Sequence, residues 1–217
     1  LIVTSMVPEM LRAELAAVPD LTLLERPEDL DRYSKDAYDY SPVLRERLAS
    51  CRAALVVRPD TVEAVAAVAA ACCRHGIALT LRGAGTGHYG QSVPLEGGGV
   101  MPMGRLRAVR RIEATTGVVT VECGCLLKDL DQMLRGHGCQ LRLLPSTWRS
   151  ATIGGFIAGG SGGIGSVRWG FLRHAPRHKP ILVDLKFGAH PAPENQGLRQ
   201  PASGVPRLRC RCAHKYD

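Results

Sequence analysis

Residues 82 to 91 decide the fold and read Arg82-Gly83-Ala84-Gly85-Thr86-Gly87-His88-Tyr89-Gly90-Gln91, in which four of the ten residues are glycine. Because glycine has no Cβ, successive backbone N–H groups can converge there into a concave nest that accepts phosphate oxygens. Residues 85 to 90 also fit the pattern G-x-G-x-x-G, which in a Rossmann fold opens a helix. Here Pro94 and three consecutive glycines at 97 to 99 follow instead. The sequence therefore predicts a phosphate-binding loop attached to a different fold.

A strand, a helix and a second strand are predicted immediately before this loop. Residues 53 to 57 are a short apolar run typical of a buried strand. Residues 62 to 75 are an alanine-rich helix that Gly76 can end in a left-handed conformation. Residues 77 to 81 form the second strand. This order indicates a β-α-β unit with a right-handed crossover.

The segments on either side of this unit have weaker patterns. Residues 1 to 50 predict a helical, charged leader. Two strands are predicted at residues 108 to 114 and 118 to 123, as an antiparallel pair joined by a turn at Gly117. Residues 126 to 135 carry an apolar stripe at helical spacing.

A second glycine-rich segment occupies residues 145 to 163. It begins with Pro145-Ser146-Thr147 and is dominated by glycine from Gly154 to Gly163. Residues this small cannot cover their own backbone amides, so a ligand or another strand can approach them closely.

Together these motifs resemble the vanillyl-alcohol-oxidase/para-cresol-methylhydroxylase type of FAD-binding domain, found in FAD-linked oxidoreductases such as glycolate oxidase and D-lactate dehydrogenase. The resemblance spans roughly residues 45 to 171, with the motifs in family order at family spacing. It rests on Arg58-Pro59, Glu63, Arg82 to Gly87, Gln91 with Pro94, Gly98-Gly99, Glu122-Cys123-Gly124, Gly138, Pro145-Ser146-Thr147, and Ala151-Thr152-Ile153-Gly154-Gly155 through Gly162-Gly163.

The resemblance implies an α+β fold of two subdomains that holds an extended FAD. Residues 83 to 90 would surround the pyrophosphate, and residues 145 to 163 would line the pyrophosphate and flavin side. The implied cofactor-binding residues are Arg82, Gly83, Ala84, Gly85, Thr86, Gly87, His88, Tyr89, Gly90, Gln91, Pro145, Ser146, Thr147, Thr152, Ile153, Gly154, Gly155, Gly159, Ser161, Gly162 and Gly163.

The implied activity is oxidation of a small molecule, with a 2-hydroxy acid such as glycolate or D-lactate as the substrate class, by hydride transfer to FAD. A partner subunit or another electron acceptor would then reoxidise the flavin. No residue is identified as the substrate base, and no metal is expected. Two alternatives stay open: a truncated, noncatalytic flavin-binding module, and a basic nucleic-acid-binding protein.

Three regions are expected along the chain: the leader at 1 to 50, an FAD-binding domain at 51 to 171, and a tail at 172 to 217. The family pattern is not recognisable in the tail, which predicts a disordered or frameshifted end and an absent substrate domain; a genuine basic tail is the alternative. The net charge of +8 comes mainly from this tail, which has nine Lys or Arg against three Asp or Glu. Because the body is nearly neutral, no nucleic-acid partner is expected.

Histidine and carboxylate side chains near these motifs have ordinary interpretations. In some members of the resembled superfamily a loop histidine attaches FAD covalently, about where Thr86 stands here. His88 lies two positions later and is expected to donate a hydrogen bond to the pyrophosphate instead. Asp129, Asp131 and His137 are expected to face solvent, because none has a partner for general-base chemistry.

Eight cysteines are present, but their spacing matches neither a paired zinc site nor a disulfide framework. Reduced thiols are expected, while Cys123-x-Cys125 leaves a metal or redox role open. No apolar run is long enough for a membrane span or a signal-peptide core, so the sequence predicts a soluble, cytoplasmic protein.

Overall fold

The computed structural model describes residues 7–37 and 41–169, together with the backbone of three short strands at 180–183, 208–210 and 213–215. Helices and short strands are mixed along the chain, as the predicted α+β class requires. The helices are α1 (Glu9–Ala16), α2 (Pro27–Tyr33), α3 (Pro42–Leu48), α4 (Val62–Arg74), α5 (Leu127–Gly136), α6 (Ile153–Ala158) and α7 (Ser166–Trp169). The strands are β1 (Leu21–Leu24), β2 (Leu55–Pro59), β3 (Leu79–Arg82), β4 (Gly99–Pro102), β5 (Val109–Glu113), β6 (Val118–Val121), β7 (Cys139–Leu141), β8 (Pro180–Val183), β9 (Leu208–Cys210) and β10 (Ala213–Lys215).

The first sheet has the strand order β1-β2-β4-β3. The predicted strand-helix-strand unit is present as β2, α4 and β3, but β2 and β3 are not neighbours. The short strand β4 lies between them and runs parallel to both, so that Gly99 is opposite Leu55 on one side and Leu79 on the other. Strand β4 was not predicted, because its four residues follow two glycines, begin with a third and end in proline.

Helix α4 forms for the reasons that its sequence suggests. The Thr61 hydroxyl accepts a hydrogen bond from the Ala64 N–H at 3.2 Å, which caps the first turn. Gly76 follows the helix with φ +63°, the left-handed conformation expected after a helix end. Val65 and Val68 on one face are buried in the core.

The leader contains the strand β1 in addition to the helices α1, α2 and α3. Strand β1 pairs antiparallel with β2, from Leu21 opposite Pro59 to Leu24 opposite Val56. In α1, Leu11 and Leu15 are 0% exposed and belong to the main core. The described residues of the leader thus contribute to the same sheet and core as the residues that follow them.

The second sheet has the order β5-β6-β8-β9. The predicted antiparallel pair is confirmed as β5 and β6, with Gly117 at φ +65° in the turn between them. The tail contributes β8 and β9 to this sheet, and its third strand, β10, pairs with β7. The other tail residues, including most of the predicted disordered or frameshifted segment, lie outside the described residues.

Asp131 on helix α5 is buried, so the expectation that it faces solvent was wrong. Its side chain is 5% exposed. One carboxylate oxygen accepts the Leu141 N–H at 3.0 Å and the other accepts Arg135 Nε at 2.7 Å. A buried carboxylate needs such partners, and here they fix the end of α5 against β7. Asp129 is partly exposed and His137 is exposed, as expected.

Candidate functional site

The two glycine-rich segments line one cleft of about 620 Å³. This volume lies within the range of roughly 300–1,000 Å³ that is usual for small-molecule and cofactor sites. The first wall is the loop that leaves β3, and the second consists of a turn after β7 and helix α6 with the residues that follow it. Residues far apart in sequence thus meet where β3 ends.

Most of the predicted cofactor-binding residues line this cleft. They are Gly83, Ala84, Gly85, Thr86, Gly87, His88, Tyr89, Gln91, Pro145, Ser146, Thr147, Thr152, Gly155, Gly159, Ser161 and Gly162. Five predicted residues are not among the lining residues: Arg82, Gly90, Ile153, Gly154 and Gly163. Six residues outside the predicted set also line the cleft: Asp36, Leu81, Ser92, Ala151, Phe156 and Ala158.

The first loop offers a row of unused hydrogen-bond donors. The backbone N–H groups of residues 83 to 87 donate no hydrogen bond to any residue that the structure describes. No helix begins after this loop, as the sequence predicted. Backbone donors without a protein partner need a ligand or water. Successive donors of this kind, in a loop that lines a cleft, suit an anion such as a diphosphate.

The two walls touch at Gly83, where only glycine fits. A Cβ at this position would lie 2.5 Å from the Thr152 Oγ1 and 3.3 Å from the Gly155 Cα. Thr152 is fixed there because its hydroxyl caps α6 by accepting the Gly155 N–H at 3.3 Å. The absence of a side chain at Gly83 therefore sets the spacing between the walls.

The second wall is partly helical rather than a continuous loop. Residues 153 to 158 form α6, and the backbone N–H groups of Ile153 and Gly154 donate to the carbonyls of Cys125 and Cys123 at 2.8 and 2.9 Å. Ile153 is 2% exposed, in the core. These two residues therefore attach α6 to the segment after β6. Ser161 and Gly162 come after the helix, and their N–H groups have no acceptor in the described part of the chain.

Arg82 lies behind the first loop and is 8% exposed. Its Nη1 donates to the Ser92 hydroxyl at 3.1 Å, and its guanidinium lies 5.8 Å from the centroid of the Tyr33 ring. A Cβ at Gly85 would collide with the guanidinium. Burial lowers the pKa of Arg82 below its usual value, and the nearby charge of Asp36 offsets part of this decrease. An arginine side chain keeps its proton even when buried, so the loop has a fixed positive charge behind it.

The leader also reaches the cleft, although no motif in the sequence indicates this contact. Asp36 lines the cleft, and the Ala37 N–H donates to the Gly87 carbonyl at 2.8 Å. Ser34, buried nearby, accepts the Ala53 N–H at 2.8 Å. The hydroxyl-carboxylate pair Ser34-x-Asp36 precedes a segment without periodicity. A single sequence contains no motif spacing that would indicate contact between this pair and a loop about fifty residues later.

The remaining ionisable groups do not form a catalytic or metal centre among the described residues. In residues 7–37 and 41–169, no three His, Cys, Asp or Glu side chains are grouped so that they could hold a metal. Burial raises the pKa of Cys123 and of Cys125 to about 11, so both thiols are neutral near pH 7. His88 is exposed at the cleft. Its predicted hydrogen bond to a pyrophosphate stays a prediction.

The described part of the chain contains no helix that is both long and apolar enough to cross a membrane.

Sequence comparison identifies relatives that are about 30% identical to this chain. Glycolate oxidase subunit GlcD from Escherichia coli strain K12 is 30% identical over 160 residues, which are 72% of this chain and 30% of the relative. D-lactate dehydrogenase from Archaeoglobus fulgidus is 32% identical over 120 residues, 55% of this chain and 27% of the relative. The chain thus spans less than a third of the length of these curated relatives.

Solved structures with the same fold are more distant in sequence. An alkyldihydroxyacetonephosphate synthase superposes with a TM-score of 0.67 at 20% identity, over 86% of this chain and 36% of that one. A BBE-like 1 variant from Physcomitrella patens gives a TM-score of 0.62 at 18% identity, over 79% of this chain and 35% of that one. These likenesses confirm the predicted fold.

The family model described as "FAD binding domain" matches residues 53–175, more than half of the chain. The cleft, its backbone donors and this match agree with the cofactor that the sequence predicted. The chain therefore belongs to the FAD binding domain family, and its cofactor is FAD.

Proposed function

We propose that this chain is the FAD-holding part of a flavin-dependent oxidoreductase that oxidises a 2-hydroxy acid such as glycolate or D-lactate. The row of unpartnered backbone donors along residues 83 to 87, at a cleft of about 620 Å³, carries the proposal. The substrate class comes from the names of the relatives, glycolate oxidase and D-lactate dehydrogenase.

In the proposed function the residues of this chain bind and orient the cofactor. The N–H groups of residues 83 to 87 hold the diphosphate, where each donor offsets part of its negative charge. The hydroxyls of Thr86, Tyr89 and Ser146 and the Gln91 amide, all in the lining, supply further donors and acceptors. The chemistry that bound FAD would supply is acceptance of a hydride from the substrate. The described residues include none to which we assign removal of the substrate proton.

The proposal is tested by reconstitution followed by anaerobic reduction. We expect the refolded full chain to bind FAD stoichiometrically and to become yellow. Addition of D-lactate or glycolate without oxygen should then bleach the flavin absorbance. Propionate, which lacks the 2-hydroxyl group, serves as the matched control and should leave the colour unchanged.

The outcomes separate the proposed enzyme from a noncatalytic module. Bound FAD that neither acid bleaches would favour the second candidate, a flavin-binding module without turnover. A folded chain that stays colourless with excess FAD would contradict both.

We also propose a reducing, cytoplasmic location. Among the described cysteines, all six are free thiols: Cys51, Cys72, Cys73, Cys123, Cys125 and Cys139. Free thiols in this number are typical of a compartment where glutathione and thioredoxin keep cysteines reduced. Fractionation of the native host, followed by immunodetection, checks this; recovery of the protein in an oxidising compartment would contradict it.

A further inference from the structure

The buried arginine behind the first loop contacts the loop at two points. Its guanidinium occupies the space into which a Gly85 side chain would project, and it donates to the Ser92 hydroxyl at 3.1 Å. Gly85 has φ +70°, in the left-handed region. Arg82 thus contacts the loop at Gly85, the third residue after β3, and again at Ser92, where the loop ends.

A second support comes from the leader, outside the region that the family model matches. The Tyr33 ring lies against the Arg82 guanidinium at 5.8 Å, and the Ala37 N–H donates to the Gly87 carbonyl at 2.8 Å. The Ser34 hydroxyl fixes this segment by donating to the Leu30 carbonyl at 2.5 Å and by accepting the Ala53 N–H at 2.8 Å. The segment from Tyr33 to Ala37 is therefore attached both to Ala53, just before β2, and to the loop.

These contacts explain why a glycine-rich loop can keep one shape. Glycine loses more conformational entropy on ordering than any other residue, so a loop with four glycines is expensive to fix at the moment a ligand binds. Contacts that fix the loop beforehand reduce that cost and increase affinity. Arg82 is not among the residues that line the cleft, so its contribution must pass through the loop.

We propose that Arg82 is a positioning residue that, together with the segment Tyr33–Ala37, holds residues 83 to 87 in the conformation that binds the FAD diphosphate. It acts through Gly85 and Ser92 and touches no cofactor atom. The inference rests on FAD binding at this cleft. It adds that residues before the family region are part of the binding site.

The test compares ligands that contain or lack the diphosphate. Binding of FAD, ADP and riboflavin to the full chain is measured by calorimetry or by flavin fluorescence. We expect Arg82→Met to weaken the binding of FAD and of ADP by a similar factor, about tenfold or more, because a charged hydrogen-bonding contact is lost. Riboflavin lacks the diphosphate, so its affinity should stay within about twofold of the wild-type value.

A second substitution separates positioning from charge. Lysine keeps the positive charge of Arg82 but lacks the planar fork that spans Gly85 and Ser92. We expect Arg82→Lys to recover little of the lost ADP affinity. Wild-type ADP binding by Arg82→Lys would overturn the positioning role, because charge alone would then suffice.

Two further variants control for folding. Arg105→Met removes an arginine paired with Asp60 at 2.7 Å, away from the lining residues, and should leave all three affinities unchanged. Tyr33→Leu keeps an apolar side chain behind Arg82. It should weaken the binding of ADP about two- to fivefold, because the cation–π contact is removed. If Arg82→Met does not fold, the ADP affinity of Tyr33→Leu tests whether Arg82 positions the loop.

The results also separate this inference from FAD binding itself. Wild-type affinity for ADP in both Arg82→Met and Tyr33→Leu would overturn the inference while leaving FAD binding intact. Equal losses for ADP and riboflavin would overturn it as well, because they would indicate general damage to the cleft. A wild-type chain that binds neither FAD nor ADP would overturn both.

Discussion

Single residues determine the shape of the cleft, and Gly85 combines two requirements. Its φ of +70° is one that other residues adopt only with strain, and its missing Cβ leaves room for the buried Arg82 guanidinium. Gly83 has a different role, since its close approach to Thr152 sets the distance between the walls. Arg82 and Asp131 show that a buried charge can be structural here. Both have hydrogen-bond partners inside the fold.

At Gly85, alanine should weaken both the fold and the binding of FAD. Left-handed backbone costs a residue with a side chain about 1–2 kcal/mol, and the new Cβ would also displace Arg82. We expect Gly85→Ala to lower the free energy of unfolding in urea by about that amount and to weaken the binding of FAD. Gly104→Ala is the matched control, because nothing lies within 4 Å of a Cβ there. Equal FAD affinities for the two variants would contradict the assigned role of the loop.

At the scale of elements, the leader is joined to the sheet by α1 and β1. Strand β1 adds an edge to the first sheet, and α1 places Leu11 and Leu15 in the core. The segment after α2 then reaches the cleft through Asp36 and Ala37. The described residues of the leader therefore contribute to the core as well as to the cleft.

Leu15→Ala should destabilise the whole fold. Removing a fully buried leucine side chain leaves a cavity, which costs about 2–5 kcal/mol. Met10 on the same helix is 76% exposed, so Met10→Ala should change little. Urea denaturation followed by circular dichroism measures both variants. If the leader were an independent appendage, Leu15→Ala would leave the main unfolding transition unchanged.

The elements with strong local signals could be predicted from the sequence, and those that depend on tertiary pairing could not. Helix α4 and the β5–β6 pair carry their own caps, turns and periodicity. Strands β1 and β4 have four residues each and lack an alternating pattern, so only their partners identify them. Helix α6 reads as a loop because two of its six residues are glycine. Most of the cleft lining followed from the glycine motifs, whereas Asp36 and the orientation of Arg82 depend on contacts distant in sequence.

At the scale of the whole molecule, the main core packs beneath the cleft and contains two buried thiols. These thiols make the stability of the fold depend on pH in the alkaline range. Cys123 and Cys125 lie where α6 hydrogen-bonds to the segment after β6. Burial raises the pKa of each from 9.0 to about 11. Between these values the folded chain keeps protons that the unfolded chain releases. Stability must therefore fall as pH rises through this window.

We expect the urea midpoint of the wild-type chain to decrease between about pH 9 and pH 11. The double variant Cys123→Ala, Cys125→Ala removes both titrating groups, so its midpoint should decrease less over the same range. A Cys73→Ala variant is the control, because that thiol is exposed. Identical pH profiles for the wild type and the double variant would contradict the contribution of these thiols.

The position of β4 between β2 and β3 has a consequence for synthesis of the chain on the ribosome. Strands β2 and β3 emerge first, but the sheet stays open between them until residues 99 to 102 arrive and pair with both. The loop after β3 leads to β4, so the pairing of β4 with β3 fixes both ends of the connection that contains the loop. A nascent chain should therefore be unable to capture the cofactor before β4 has left the exit tunnel. From that moment, cellular flavin supply could influence how much of the newly made protein reaches its folded state.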